Sequence, residues 1–427
     1  MYGNTVEKVA ENEPKFPSSI KIPSIDRMLF VKDRYCIGNE AYQEIVLSDT
    51  NLPSLYSLQN RTEELNAKFD VRMNDKYQFV WEPLENKLRR ALQNMQKMFP
   101  QMTLTDGDTI VVKITGDGTS FGSRKSVTNV GFVLIYGSYK SSEHVLALTH
   151  QPEKFDALKP IFLEMNLCHE IEEVKSLLFH GKTVHLDYVF CADLKFINEM
   201  LGLGSCSSEY SCAWCKCPAS KYWDMSIDWS LTDISKGART IQEIVRESKL
   251  PGTRKDHFAC LRSPMFPIEI SKVIMDPLHL YLRVSDQLIR QLVKDIHTED
   301  NVKKNQKNVD KTKCANIMAF ENFVQGLGIQ WKFSTDKTSG LLTYRDFIGP
   351  EHKKIQKAIN LKGLIPWHKS LDQVVKLWKE FPVLMAMMKK DVPVDRESPE
   401  SFSQKAQAWV SLYKDTYLPK DITVYML

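Results

Sequence analysis

The sequence predicts an α+β protein, with a mixed β-sheet in the first half of the chain and a helical region after it. Short apolar segments rich in β-branched residues lie between residues 109 and 190, whereas apolar residues after position 217 recur at helical spacing. With 427 residues and 43% apolar content, the chain is long enough for one large domain or for two to three domains of about 100–200 residues. We therefore expect a substantial buried core.

The overall composition restricts the class of protein. Lysine and arginine number 57 against 53 acidic residues, and a formal charge of +4 is too small to indicate a nucleic-acid partner by itself. Nine cysteines are too few for a disulfide scaffold, and three of them fall within residues 212–217, which favours a reducing compartment and metal binding. The sequence shows no apolar stretch of about 18 residues and no secretion signal, so we expect a soluble intracellular protein with no membrane partner.

The first predicted elements are an arm, a helix and three strands. Prolines scattered among short apolar groups predict an irregular arm over residues 1–68, and the spacing of apolar residues predicts a helix over Phe79–Phe99. Three β-rich segments separated by glycine and serine turns then predict antiparallel strands. These strands are Thr109–Ile114, Val130–Tyr136 and Val145–Leu148.

A long helix and a fourth strand follow. Apolar residues every three or four positions predict one helix over residues 155–177, and Thr183–Phe190 has a strongly β-type composition. The order of three strands, a helix and a fourth strand is the core topology of the ribonuclease H-like fold, and other α+β folds share it. Further helices are predicted over Leu278–Val293, Ile317–Val324 and Leu371–Glu380.

Two aspartates follow predicted strands: Asp117 lies in a Gly-Asp-Gly turn after the first strand, and Asp193 comes just after the fourth. Rigid carboxylates suit a pair of Mg²⁺ or Mn²⁺ ions, which prefer oxygen ligands and catalyse phosphoryl transfer when held about 3.5–4 Å apart. The flanking glycines would let a substrate backbone approach, and Arg124 and Lys125 are candidate DNA-phosphate contacts. Each aspartate also has an ordinary explanation, a turn acid for Asp117 and a helix cap for Asp193. Their matching positions in one sheet favour the catalytic interpretation.

A Cys-x-x-Cys pair, Cys212 and Cys215, has the spacing with which adjacent thiolates bind Zn²⁺. Only half of a tetrahedral site is visible, because no second Cys-x-x-Cys and no His-x-x-x-x-His follows. His279 is the nearest candidate for a further zinc ligand. Its alternative role is that of a buried histidine bonded to a neighbouring turn.

These residues resemble the DDE transposases with a ribonuclease H-like core, in particular the group of Transib elements and the catalytic subunit of the V(D)J recombinase. Asp117 corresponds to that group's first catalytic aspartate and Asp193 to its second. Cys212 and Cys215, beginning 19 residues after Asp193, correspond to its first zinc-ligand pair. The chain is also similar to transposase-like reading frames of invertebrate genomes through Ala192–Phe196, Met200–Leu203, Cys212–Cys215 and Leu278–Asp286.

The resemblance implies metal-dependent cleavage and transfer of DNA strands with Mg²⁺ or Mn²⁺, and a structural Zn²⁺. It implies DNA as a partner, a homodimer or larger assembly, no small-molecule substrate and a nuclear location. It also divides the chain into four regions. These are an N-terminal arm (1–68), a helical lead-in (69–105), a ribonuclease H-like core (106–211), and a zinc region with a helical insertion domain (212–427).

The family also has a third catalytic acid, a glutamate, and a His-x-x-x-x-His zinc pair beyond its helical insertion. Thr423–Leu427 resembles the segment just before those histidines, and nothing distinguishes Glu299 or Glu321 as the glutamate. Because acids of such a set act as a unit, we expect a transposase-derived protein that is inactive or incomplete as given. The alternatives are a non-catalytic DNA- or protein-binding factor that keeps the fold, and an unrelated α+β protein whose acids and cysteines are structural.

Overall fold

The computed structural model describes residues 24–417 except 36, 50, 77, 122–124, 225, 228, 301–310, 337, 339–341 and 390–398. The chain divides into two compact units, Met1–Met73 and Asn74–Leu427. A three-residue strand, β1 (Arg72–Asn74), spans the point of division.

The described part of the first unit is helical, so the prediction of an irregular arm is wrong there. It contains α1 (Ile25–Arg34), α2 (Asn39–Ser48) and α3 (Leu55–Lys68). Pro53 misled the prediction because it lies in a connection, where it directly precedes Ser54, whose side chain caps α3. Tyr42 of α2 is fully buried and donates its hydroxyl hydrogen to the carbonyl oxygen of Pro53 (2.8 Å).

The second unit begins with a sheet and its covering helices. In chain order these elements are β2 (Phe79–Trp81), α4 (Leu84–Met98), β3 (Thr109–Phe121), β4 (Lys125–Tyr136), β5 (Tyr139–Lys140), β6 (His144–Thr149), α5 (Phe155–Glu164), α6 (Leu167–Glu173), β7 (Ser176–Phe179), β8 (Lys182–Ala192) and α7 (Leu194–Met200).

A mostly helical region follows. Its elements are α8 (Ile241–Glu247), β9 (Val273–Met275), α9 (Pro277–Glu299), α10 (Ala315–Gly326), β10 (Ser334–Thr335), β11 (Leu342–Thr343), α11 (Gly349–Ala358), α12 (Leu361–Leu364), α13 (Leu371–Lys389) and α14 (Pro399–Thr416). All three downstream helices predicted from the sequence are therefore present. Within the described residues, no helix is both long enough and apolar enough to span a bilayer.

The sheet is mixed, as the α+β prediction requires. Its strands run in the order β2-β6-β4-β3-β8-β7, with β5 paired to β4 and β9 paired to the end of β8. The predicted antiparallel pairing of the first three long strands is confirmed, since β4 is antiparallel to both β3 and β6. Strand β8 is parallel to β3 and β9 is parallel to β8.

One face of the sheet forms the core and the other is more open. Because side chains alternate along a strand, Ile110, Val112 and Ile114 of β3 point to one face, where they are fully buried. Helix α4 contacts β4 and β6, and its predicted apolar stripe is buried at Leu88 and Leu92. The intervening residues of β3 are only half-buried, and Asp117 belongs to that alternate set.

Two predicted helices have different bounds in the structure. The predicted helix over Phe79–Phe99 is preceded by β2 and begins only at Leu84. The predicted single helix over residues 155–177 is two helices, because Asn166 adopts a left-handed backbone conformation (φ 53°) between α5 and α6. The last residue of that prediction, Leu177, lies in strand β7.

Candidate active site

Asp117 lies within β3 and not after it, which corrects the sequence prediction. Strand β3 continues to Phe121 because β4 pairs with it throughout, and Asp117 is opposite Asn129. The parallel strand β8 ends earlier, since its last residue, Ala192, is opposite Gly116. Asp117 is therefore the first residue of β3 beyond its parallel neighbour, and its side chain is exposed.

Asp193 comes directly after β8 and is the N-cap of α7. Its Oδ1 accepts a hydrogen bond from the backbone N–H of Phe196 (2.7 Å). The capping role considered from the sequence is thus present. A carboxylate has a second oxygen and further lone pairs, so the cap leaves Asp193 able to bind another group.

The structure adds a third aspartate, Asp276, to this edge of the sheet. Strand β9 pairs in parallel with the end of β8, with Met275 opposite Ala192. The backbone N–H of Asp276 donates to the carbonyl oxygen of Ala192 (2.8 Å), which places Asp276 beside the start of α7. Asp276 caps α9 as Asp193 caps α7, by accepting the N–H of His279. The sequence signal that indicates it is Asp-Pro at a helix start, directly after a short β-branched segment.

The three aspartates line a single cavity of about 420 Å³, which we call the acid pocket. It also contains the side chains of Asn129, Glu143 and His279. Thr115, two residues before Asp117 on the same strand face, donates a hydrogen bond to Glu143 (3.2 Å). The residues of the acid pocket come from five separated parts of the chain, which the sheet brings together.

A further carboxylate, Glu153, lies close to the acid pocket. It is nearly buried, it pairs with Lys195 (2.6 Å), and its Oε1 has no hydrogen-bond partner among the described residues. Burial raises the pKa of Glu153, the hydrogen bond from Lys195 opposes that rise, and the charges of Asp193 and Asp117 add to it. The last two effects show that Glu153 is near enough to both aspartates to feel their charge.

The two glycines around Asp117 serve internal packing, which corrects their predicted role in substrate approach. A Cβ atom on Gly116 would lie 2.2 Å from the ring of Phe196, and one on Gly118 would lie 2.9 Å from Cβ of Glu153. Glycine at these positions lets α7 and Glu153 pack directly against β3. The Gly-Asp-Gly sequence thus holds Asp193 and Glu153 near Asp117.

Four carboxylates outnumber the two lysines, Lys113 and Lys140, among the residues that line the acid pocket, so its lining is net negative. Partial burial raises the pKa of Asp117, and the charges of Asp193 and Asp276 raise it further, while His279 opposes both effects. The pKa of His279 is itself raised, first by its hydrogen bond to Asp276 and then by the charges of Asp193 and Asp117. The same hydrogen bond lowers the pKa of Asp276. A protonated His279 therefore offsets part of the charge of the acids.

The ligand types in the acid pocket fit Mg²⁺ or Mn²⁺. Both ions prefer oxygen, and the pocket supplies the carboxylates of three aspartates and of Glu143 together with the amide oxygen of Asn129. That oxygen is buried without a hydrogen-bond partner among the described residues, as expected for an atom that binds a cation or an ordered water. Within the described chain, however, no three His, Cys, Asp or Glu side chains are already arranged around a metal position. The metal thus remains a prediction.

His279 contacts the acids, which corrects its proposed place in a zinc site. Its Nδ1 lies 2.8 Å from Oδ2 of Asp276, and both residues line the acid pocket. Its described contacts do not include Cys212 or Cys215. Spacing along the chain did not reveal this, because β9 carries the start of α9 to the end of β8.

Cys212 and Cys215 lie in what we call the cysteine loop, residues 212–217. Both are buried, and the Cys215 thiol donates to the Cys212 sulfur at 3.4 Å. This hydrogen bond lowers the pKa of Cys212 to about 7 and, with burial, raises that of Cys215. Buried Cys217 is nearby, but no complete set of zinc ligands surrounds the pair in the described part of the chain. Zinc binding also remains a prediction.

A buried arginine closes the cysteine loop. Arg239 is 3% exposed, and its Nε donates to the carbonyl oxygens of both Cys212 and Cys215 at 3.1 Å. A terminal nitrogen of Arg239 also donates to the carbonyl oxygen of Phe258 (2.9 Å). This contact was not predicted from the sequence, because Arg239 lies 24 residues after Cys215.

The predicted DNA contacts cannot be compared with the structure. Arg124 lies outside the described residues, and for Lys125 only the backbone, at the start of β4, is described. Glu321, one residue considered as the missing glutamate, accepts the backbone N–H of Phe333 (2.8 Å) within the helical region and does not line the acid pocket.

A search of protein-family models finds no match to this chain, and a search of curated proteins finds none. Neither search therefore identifies a family for this chain, and the resemblance to DDE transposases stays a prediction.

Proposed function

We propose that this chain cleaves phosphodiester bonds in DNA with Mg²⁺ or Mn²⁺, as a transposase-derived protein with a ribonuclease H-like core. The observation that carries the proposal is the acid pocket, in which Asp117, Asp193 and Asp276 meet at one edge of the sheet. Two-metal phosphoryl transfer needs such carboxylates and little further protein chemistry. Strand order supports the fold. The strands run β6-β4-β3-β8 with β9 parallel beside β8, so Asp117 lies on a central strand and Asp193 and Asp276 follow the ends of β8 and β9.

Each acidic residue has a distinct part in the proposed reaction. Asp117, Asp193 and Asp276 are the carboxylates that would hold the metal, together with the amide oxygen of Asn129. A bound metal would supply activation of the attacking water or hydroxyl and stabilisation of the leaving oxygen. His279 is held by its hydrogen bond to Asp276 and orients that carboxylate. In this proposal Asp276 supplies the third acid of the set, so we expect the chain as given to be active.

A nicking assay tests the proposal. Purified protein is incubated with supercoiled plasmid and Mg²⁺ or Mn²⁺, and Asp117→Asn, Asp193→Asn and Asp276→Asn are compared with the wild type. Asparagine also caps helices, so these variants keep the caps of α7 and α9 while losing a charged ligand. We expect nicking to fall about a thousandfold in each, because members of a metal-binding set act as a unit.

The matched control is Asp372→Asn, because Asp372 is 93% exposed at the start of α13. It should nick like the wild type. Wild-type protein without metal-dependent nicking, or equal nicking by wild type and Asp117→Asn, would overturn the proposal.

A second candidate function is a non-catalytic DNA-binding factor with the same fold, in a homodimer or larger assembly in the nucleus. One observation favours this candidate: Asp193 and Asp276 both have a structural role as helix caps. If capping is their whole role, their asparagine variants should match the wild type in every respect. Metal-independent binding of DNA without nicking would support this candidate.

A further inference from the structure

A second polar cavity adjoins the acid pocket and shares Asp193 with it. This cavity measures about 740 Å³, within the range of about 300–1,000 Å³ found for small-ligand sites. One wall is the loop after α7, which contributes four serines, and the other wall is α9. We call it the serine pocket. Its serines are Ser205, Ser207, Ser208 and Ser211.

Two buried polar atoms of the serine pocket lack partners. Asn198 is 2% exposed, and its Nδ2 donates to the carbonyl oxygen of Ser211 (3.2 Å), but its Oδ1 has no hydrogen-bond partner among the described residues. The buried hydroxyl oxygen of Ser208 also has none there. Buried polar atoms are rarely left unpaired, so such atoms indicate a ligand or ordered water.

The α9 wall carries a polar stripe that leads from one pocket to the other. His279 in the acid pocket is followed by Arg283, Gln287 and Arg290 at helical spacing, so these side chains share one face of α9. Arg283 is exposed and makes no ion pair within the described residues. At about 1.5 Å per residue, Arg283 lies about 6 Å along the helix axis from His279, so one helix connects the two pockets.

The acidic residues of the serine pocket other than Asp193 are already engaged. Glu199 accepts the backbone N–H of Phe155 (2.7 Å), and Asp286 pairs with His352 (2.8 Å). Arg283 therefore remains available for an anion from outside the protein. The combination of a free guanidinium, buried hydrogen-bonding groups and a shared wall with the acid pocket fits a nucleotide.

We propose that the serine pocket binds one unpaired nucleotide of a DNA strand, next to the phosphodiester that enters the acid pocket. Arg283 holds the phosphate of this nucleotide. Asn198 Oδ1 accepts a hydrogen bond from the base, and the Ser208 hydroxyl makes a second bond to it. This assignment deepens the proposed function and rests on it, because it names unpaired DNA as the substrate class.

Binding in the presence of a chelator tests the assignment separately from catalysis. Fluorescence anisotropy follows a labelled single-stranded deoxycytidine oligonucleotide, whose bases carry an exocyclic amine, and a matched abasic strand. We expect Arg283→Ala to weaken binding of both strands about tenfold and to reduce the salt dependence by about 0.7, the value for one phosphate contact on a single strand. Arg254→Ala, which removes an exposed arginine outside both pockets, should bind like the wild type.

A second variant tests contact with the base. Ser208→Ala removes a hydroxyl that has no described partner, so its effect on folding should be small. It should weaken binding of the deoxycytidine strand severalfold and leave binding of the abasic strand unchanged. Equal binding by Arg283→Ala and wild type, or an equal effect of Ser208→Ala on both strands, would overturn the assignment.

The two proposals can fail independently. If Asp117→Asn abolishes nicking while Arg283→Ala binds DNA normally, the proposal for the serine pocket is wrong and the proposal for the acid pocket is supported. If no nicking occurs but binding depends on Arg283 and Ser208, the catalytic proposal is wrong and the serine pocket is a DNA-binding site.

Discussion

The acid pocket and the cysteine loop each contain several titratable side chains. They differ in whether the polar groups around those side chains have hydrogen-bond partners within the protein. In the cysteine loop the partners are internal, since Arg239 binds the carbonyl oxygens of Cys212 and Cys215 and all three residues are buried. In the acid pocket the charges repel each other and the amide oxygen of Asn129 lacks a described partner. Groups that the fold leaves unsatisfied indicate a ligand site, whereas satisfied groups indicate a structural role.

Removing Arg239 should have the largest effect on stability. A small effect would contradict the structural role of the cysteine loop in this comparison. Arg239→Ala leaves several carbonyl oxygens of the cysteine loop buried without donors, so we expect unfolding free energy to fall by about 3–5 kcal/mol. Chemical denaturation measures it. The exposed Arg254→Ala control should change stability by less than about 0.5 kcal/mol. If both variants are equally stable, Arg239 does not hold the loop.

Gly116→Ala tests how tightly the acid pocket is built. The added Cβ would meet the Phe196 ring at 2.2 Å, so α7 and its cap Asp193 must shift. We expect a loss of about 1–3 kcal/mol, typical of overpacking, and reduced nicking. Gly326→Ala at the end of α10, where nothing lies within 4 Å of the new Cβ, is the control. Unchanged stability and nicking in Gly116→Ala would show that the close packing is not required.

Asp193 allows the structural and ligand roles to be separated. Asp193→Ala removes the N-cap of α7 and should cost about 1 kcal/mol, whereas Asp193→Asn keeps a capping oxygen and should cost much less. Thermal unfolding compares the two variants. Both should lose nicking, because neither keeps the carboxylate. If the stable Asp193→Asn variant nicks DNA as well as the wild type, Asp193 acts only as a helix cap.

Asp117→Asn should have the smallest effect on stability, and in the opposite direction. The raised pKa means that folding disfavours the ionised carboxylate, so at neutral pH without metal the variant should be slightly more stable, by less than about 1 kcal/mol. The difference in stability between variant and wild type should vanish as pH falls below the pKa of Asp117 in the unfolded chain. At such pH the carboxyl group is neutral in both the folded and the unfolded state. If Asp117→Asn is less stable than the wild type at neutral pH, the carboxylates of the acid pocket do not repel each other as proposed.

The sequence allowed prediction of the sheet strands and of Asp193, because long β-branched segments and a cap after a strand are local signals. Asp276 was missed because β9 has only three residues, too few to show alternation, and its pairing with β8 joins residues more than 80 positions apart. The same distant pairing explains why His279 contacts the aspartates, and not the cysteines as the sequence had predicted. Asn166 broke a predicted helix through a left-handed conformation that apolar spacing does not reveal.

The most direct test of the central claim is a titration of the wild-type protein and Asp117→Asn with Mn²⁺, monitored by calorimetry. We predict that the wild type binds Mn²⁺ and that Asp117→Asn binds at least about tenfold more weakly, because the variant lacks a charged carboxylate of the acid pocket. Equal Mn²⁺ binding by both proteins, or none by the wild type, would contradict the claim that the acid pocket is a metal site.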